Sequence, residues 1–323
     1  MTSLKNKKIA ISTSVIGGIG GAERDLFSVI KAFHDCSIDV YTNNVIDSEL
    51  MPEVKNLNIF VNKIQDWKII KKNRHYDLYL HYNFLNATYL GDKLNCKLKI
   101  INPCGNEVFK KEHLFDYVIS QSPQGTKLFK NQAKKLLLSQ PVSFVSTATE
   151  PVDDLPEKYL LTVFNPYGKK PTPIKGHDIL YTTSKKLPFK IVWCYSLKTK
   201  RWKGLEKTHK NIIYLESASQ AQLRYLYENA LAYVSFSRKE GFGWSIADAL
   251  LHQKPILSRQ VGVLSYYEKV PDGVFIYKDR EDLVKIARNT NFLKAKPLYD
   301  LSPISVANFR KQIASLFKKT SRT

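Results

Sequence analysis

The sequence is short of acid: Lys and Arg number 50 against 29 Asp and Glu, a formal net charge of +21. That balance excludes an acidic solvating chain and admits anionic partners, namely phosphorylated substrates, acidic lipid and nucleic acid. The lysines are spread along the chain (Lys7 and Lys8, Lys71 and Lys72, Lys134 and Lys135, Lys318 and Lys319), so no detachable basic arm is present. Cysteine is scarce, and Cys36, Cys96, Cys104 and Cys194 show no C-x-x-C spacing. Reduced thiols in a cytoplasmic protein are expected, with no disulfide. There is no D-x-D, no H-E-x-x-H and no His/Cys cluster, so no metal site is expected. No apolar run approaches a membrane span, and the start, MTSLKNKKIAIS, lacks the apolar core and cleavage site of a leader. Any membrane contact is therefore expected to be peripheral.

What is present is alternation. At 323 residues, 43% of them hydrophobic, the chain can bury two cores of ordinary size. Short β-branched runs alternate with stretches of helical period, the pattern of parallel sheets covered by helices on both faces. In the first half, strands are expected at Lys8–Thr13, Ile38–Thr42, Asn58–Val61, Asp77–His81, Leu98–Asn102, Tyr117–Ser120 and Val142–Ser146. A polar, Pro-containing stretch, TATEPVDDLPE, then interrupts the alternation like an interdomain linker. The second half restarts at Tyr159–Phe164, with further strands ending near Tyr195, Leu215, Phe236, Ser258 and Tyr277. The reading is two α/β domains, 1–150 and 151–323, with a last amphipathic helix, about Ile304–Phe317, packing back across the first.

Two segments have the residues for chemistry. Gly17, Gly18, Gly20 and Gly21 lie between a strand and a helix, where bare amides and a helix N-terminus favour a phosphate or a sugar. Neither G-x-G-x-x-G nor G-K-[ST] fits, so a dinucleotide fingerprint and a P-loop are unsupported, and a tight turn explains the glycines equally well. The second segment is Ser237-Arg238-Lys239-Glu240-Gly241-Phe242-Gly243-Trp244-Ser245-Ile246-Ala247-Asp248. Glu240 falls in the turn after a strand and Asp248 on the helix behind it, so both carboxylates can line the crevice where doubly wound sheets bind ligands. Gly241 and Gly243 open the helix N-terminus to a diphosphate.

This second segment, through QKPIL, resembles the signature of family 4 glycosyltransferases, E-G-F-G-x-x-x-x-E followed by a small residue, Pro and a strand. The resemblance implies a GT-B fold, two Rossmann-like domains facing across a cleft, and retaining transfer of a hexose-type sugar from a nucleoside-diphosphate sugar. The donor is a substrate, and no cofactor is implied. Glu240 would contact the transferred sugar, the amides around Phe242 and Gly243 the sugar and phosphate, and Asp248, in place of the family's second Glu, the ribose. Gly17 to Arg24 is similar to the family's G-G-A-E-R opening over the diphosphate. Lys175-Gly176 looks like its K-G, whose lysine neutralises the leaving group. The family's arginine at the end of the preceding strand is replaced by Asn165, and Lys169 or Lys170 would supply the charge, without arginine's fork. On the acceptor side no histidine stands in the loop Asn102–Glu107, so Asn106 and His81 are the candidates.

The acceptor implied is a glycan or a lipid-linked glycan, with an acidic membrane surface as a possible docking partner. Two rivals remain: a chain with this fold that has lost the chemistry and binds a partner, and a nucleic-acid-binding protein. The second rests on charge alone, since no recognised binding module is present.

Overall fold

A computed structural model of the protein describes residues 4–17, 20–46, 58–61, 75–82, 89–91, 93–104, 112–123, 135–144, 146–165, 173–196 and 209–320. The chain forms two compact units. One combines Met1–Ser143 with Ser302–Thr323, and the other is Phe144–Leu301.

The first unit holds strands β1 (Lys8–Ile16), β2 (Ser37–Val45), β3 (Asn58–Val61), β4 (His75–Tyr82), β5 (Asn95–Asn102), β6 (Tyr117–Ser120) and β7 (Lys135–Leu137). They form one sheet in the order β3-β2-β1-β4-β5-β6-β7, parallel at every pairing. Strands covered on both faces read as continuous apolar runs, and β1 is buried from Ile9 to Ile16. Helix α1 (Gly21–Ala32) follows β1. It is buried on nearly every side, Glu23, Asp25 and Ser28 included, because helix α6 (Val306–Thr320) returns to cover it. Phe309 of α6 meets Phe33 edge to face at 5.7 Å, and the Arg310 guanidinium holds both oxygens of Asp35 at 2.9 and 2.8 Å. The last helix thus belongs to the first unit, as its amphipathic pattern led us to expect. The described residues of Val142–Ser146, read as a strand, form none. Val142 makes a single bridge to Ser305, just ahead of α6, and the edge strand is β7, three residues long.

The second unit repeats the plan with β8 (Tyr159–Val163), helix α2 (His177–Ser184), β9 (Lys190–Tyr195), β10 (Ile212–Glu216), α3 (Gln220–Asn229), β11 (Ala232–Val234), α4 (Trp244–Leu251), β12 (Ile256–Ser258), β13 (Val274–Ile276) and α5 (Arg280–Asn289). The order β10-β9-β8-β11-β12-β13 matches that of the first six strands of the other sheet. Its core gathers Leu160, Trp193, Val234, Leu257 and Phe292, each wholly or almost wholly buried. A side chain of that size contributes about 1.5–3 kcal/mol relative to its exposed state. Among the described residues no helix is long and apolar enough to cross a membrane. Nor are three or more His, Cys, Asp or Glu side chains grouped to hold a metal ion.

Both sheets are wound outward in two directions from a central pair, β1 and β4 in one, β8 and β11 in the other. At such a reversal the connections leave to opposite faces and open a crevice beyond the strands' C-terminal ends. The segments that fill these positions are the two singled out from the sequence.

Candidate functional site

In the second unit, β8 and β11 lie side by side, Leu160 opposite Ala232 and Leu161 opposite Tyr233. Residues that leave these strands are therefore neighbours although some 65 positions separate them. The connection from β8 ends in a short helical turn, Pro173–Lys175, and enters α2 through Gly176. Gly176 has φ 70°, and a Cβ there would lie 2.0 Å from the carbonyl oxygen of Phe236, just past β11. Only glycine allows both the left-handed conformation and that approach. The contact is locked by a backbone hydrogen bond from the Arg238 amide to the Ile174 carbonyl, 2.7 Å.

The consequence is an ion pair. Lys175 Nζ donates to both carboxylate oxygens of Glu240, at 2.7 and 2.8 Å, with the Glu240 side chain 12% exposed and that of Lys175 22%. The two residues expected from the sequence to act at the reacting centre are brought into direct contact. Beyond Glu240 the chain turns through Gly241 and buried Phe242 to Gly243, which caps α4 at φ 84° and ψ 60°. Gly262 backs this turn, since a Cβ on it would meet the Phe242 carbonyl at 2.3 Å and Glu240 Cβ at 2.9 Å. Asp248 sits one turn into α4 and is largely buried. Burial pushes the Tyr233 phenol up, and the charges of Glu240 and Asp248 push it further. Both carboxylates thus lie within electrostatic reach of one hydroxyl, which donates to Ser245 Oγ at 2.8 Å.

No protein-family model matches the sequence, and no curated protein matches it. Solved structures do. The Anabaena protein HepE, in complex with UDP and glucose, aligns over 97% of this chain and 100% of its own with a TM-score of 0.69 at 16% identity. The lipopolysaccharide outer core galactosyltransferase WaaB aligns over 97% of this chain and 99% of its own, with a TM-score of 0.61 at 14% identity. For the sucrose-phosphate synthase of Thermosynechococcus elongatus the shares are 98% and 96%, the TM-score 0.60 and the identity 15%. The chain has the GT-B fold.

Elsewhere in this GT-B chain the expected residues fall as follows. Gly17 leaves β1 at φ 96°, where a Cβ would lie 1.7 Å from the Ile46 carbonyl oxygen. Gly20 caps α1 beneath the Glu23 carboxylate, whose Oε2 would be 2.5 Å from a Cβ, and Gly21 opens the helix. Gly17 therefore has a local structural reason to be glycine, whereas a Cβ on Gly20 would meet only the movable end of the Glu23 side chain. Asn165 is anchored, its Oδ1 accepting from the Ser196 amide at 2.8 Å. Gly18, Lys169, Lys170 and Asn106 lie outside the described residues.

His81 is fully buried on β4. It is opposite Ser12 of β1, whose hydroxyl lies 2.8 Å from its Nδ1, and stacks on Phe115 at 5.8 Å. Burial brings its pKa down to about 4, so the imidazole is neutral at pH 7. Sequence reasoning passed over the residues that fix the site from behind: Asp178, Gly262, Arg280 and, though inside the quoted motif, Arg238. An acid in the first turn of a helix that follows Lys-Gly was a readable signal for Asp178. Gly262 and Arg280 gave none.

Proposed function

We propose that the chain is a glycosyltransferase of the family 4 type, moving a hexose-type sugar from a nucleoside-diphosphate sugar to a hydroxyl of a glycan or lipid-linked acceptor. The observation that carries the reading is the Lys175–Glu240 pair, 2.7 Å apart, set at the reversal of the second sheet just ahead of α4, the helix that bears Asp248. A cation, a carboxylate and helix amides at that position match a diphosphate bonded to a polyol. The three solved structures support the same reading by what their proteins bind or do: UDP and glucose in one, and a galactosyltransferase and a sucrose-phosphate synthase in the others.

On this reading the second unit binds the donor. Lys175 turns from Glu240 to the diphosphate, and Glu240 is released to accept hydrogen bonds from the sugar hydroxyls. Asp248 faces the ribose through one methylene less than a glutamate, and the amides at Phe242 and Gly243 receive the charge that develops as the phosphate leaves. The bond from the anomeric carbon to the phosphate oxygen breaks while that carbon bonds to the acceptor oxygen on the same face, and the acceptor's proton passes to the departing phosphate. Configuration is retained and no enzymic nucleophile is needed. Lysine and amides take the diphosphate's charge, so transfer is expected to persist in excess chelator.

The test is a thermal-shift screen of nucleoside diphosphates and their sugars. One of them at about 100 times its Kd stabilises the wild-type chain by about 2.7 kcal/mol, and the shift disappears in Glu240→Ala and Lys175→Ala. A chain that no nucleotide stabilises does not have this function. One observation favours a second reading, a GT-B chain that binds a partner without catalysis: Asn165, in the place of the family's arginine, is occupied by the Ser196 amide. Turnover of any sugar nucleotide in the same panel dismisses it.

A further inference from the structure

The two loops that meet at Lys175 and Glu240 are joined a second time. Asp178 stands three residues after Lys175, in the first turn of α2, and Arg238 two residues before Glu240. Their side chains form a two-pronged bridge, Nη1 to Oδ1 at 2.7 Å and Nη2 to Oδ2 at 2.6 Å. The polarity is reversed between the two links. In the first the cation comes from the α2 side, in the second from the side of β11. Arg280, the first residue of α5, sets another guanidinium on Asp178 Oδ2, so three elements meet at one carboxylate. With hydrogen bonds from Arg238 first and Arg280 after it, Asp178 is held well below the usual carboxylate range.

An isolated pair at this exposure, 33% for Arg238 and 40% for Asp178, contributes only about 0–1 kcal/mol to stability. The planar fork matters more for where it holds its partners than for how strongly. An ammonium drawn to a diphosphate gives up at least part of its double contact with Glu240. The loops then stay together through the Arg238–Ile174 backbone bond and the Asp178 bridge.

We propose that Asp178 and Arg238 are positioning residues that keep Lys175 and Glu240 in register while the Lys175–Glu240 pair opens for the ligand, an inference that rests on reading this site as one for a nucleotide-sugar. They touch neither the donor nor the reacting atoms and act through the two residues they hold.

The experiment measures binding of UDP, GDP and ADP by calorimetry and turnover of UDP-glucose, GDP-mannose and ADP-glucose, with melting temperature recorded for every variant. A displacement of about 1 Å at a reacting group costs up to about a hundredfold in rate, so Asp178→Asn and Arg238→Gln are expected to lower kcat by about tenfold or more. Donor KM should change by less than about threefold, because the lysine charge that binds uniformly is still present. Arg238→Lys, with the charge but not the fork, falls between these and the wild type, and Arg280→Gln, which leaves the fork intact, lies nearest the wild type. The double variant Asp178→Asn, Arg238→Gln is no worse than either single one, as expected of residues in one link.

A merely structural bridge would lower the melting temperature and leave kcat of the folded enzyme unchanged, and that result overturns the proposal. If the wild-type chain works and Lys175→Ala abolishes turnover while both bridge variants are unaffected, the bridge inference alone falls. If the wild-type chain neither binds nor turns over any probe, the site reading falls and the inference with it. Should Asp178→Asn fail to fold, Arg238→Lys decides by the same kcat criterion.

Discussion

A carboxyl group buried beside neutral partners makes its protonation a matter of stability. Asp25 on α1 is 1% exposed. One oxygen accepts from Asn102 Nδ2 at 2.8 Å and Gln121 Nε2 at 2.7 Å, and among the described residues the other has no hydrogen-bond partner. Burial outweighs the two amide bonds and lifts its pKa from 3.8 to about 8. Below 3.8 the folded and unfolded chains both carry the proton, and the group's contribution is fully present. As pH rises toward 8 only the folded chain keeps the proton, so each unit removes up to about 1.4 kcal/mol, and the loss levels off once Asp25 ionises. Asp25→Asn removes this dependence. Melting temperatures of the two proteins between pH 5 and pH 8 should diverge in the variant's favour as pH rises, and parallel curves would show that Asp25 is ionised throughout. Nothing in the sequence marked this residue. It sits among the apolar positions of α1, and its partners come from far along the chain, Asn102 at the end of β5 and Gln121 just past β6.

At the scale of elements, the conformation of one glycine can be separated from the stability of one helix. Gly176→Ala forces a Cβ into a left-handed position 2.0 Å from the Phe236 carbonyl, which costs about 1–2 kcal/mol of strain and pushes α2 away from the loop of Glu240. Ser219 caps α3 in a reciprocal pair with Gln222, accepting from its amide at 3.1 Å and receiving its side chain at the Ser219 amide, 3.0 Å. Ser219→Ala costs about 1 kcal/mol by loss of the cap. Both variants should melt lower, but only Gly176→Ala should lose nucleotide binding. Equal affinities in the two would show that the approach of α2 to β11 is not needed by the site.

Sequence placed β3 and β6 to the residue and the end of β9 at Tyr195, whereas β1 runs three residues past its expected end and β11 stops two before its own. It failed at the β7 edge of the first sheet. The three residues of β7 are too few to show a period, and Val142–Ser146 has a strand's composition but, among its described residues, forms a single bridge, to Ser305. Of the site, Glu240 through Asp248 was legible because strand, turn, glycines and acids follow one another without a gap. The parts contributed by α5 and by Gly262 were not, because their role depends on which strand lies beside which.

At the scale of the whole molecule the chain passes twice between its units, at Ser143 and at Leu301, so the last helix completes the core of the first. The feature that no single element explains is the charge. An excess of 21 positive groups is not required by a nucleotide, which two or three cations satisfy. A surface of that sign is drawn to anionic lipid, each basic residue near the headgroups contributing about 1 kcal/mol. Such an attraction operates within a Debye length, about 10 Å at 0.1 M salt and 3 Å at 1 M. If the acceptor is lipid-linked, the protein should sediment with vesicles of acidic phospholipid at low salt and leave neutral vesicles alone. Its partition to the acidic vesicles should fall by about tenfold or more between 0.05 and 0.5 M salt as the counterions screen it. Binding that ignores lipid charge or salt would mean that the basic surface serves solubility, and the acceptor would then be sought among soluble glycans. A duplex nucleic acid added at low salt is the control. Competition with the vesicles is expected from charge alone, whereas retention on the nucleic acid after the vesicle interaction has been screened out would turn the reading of the surface toward that partner.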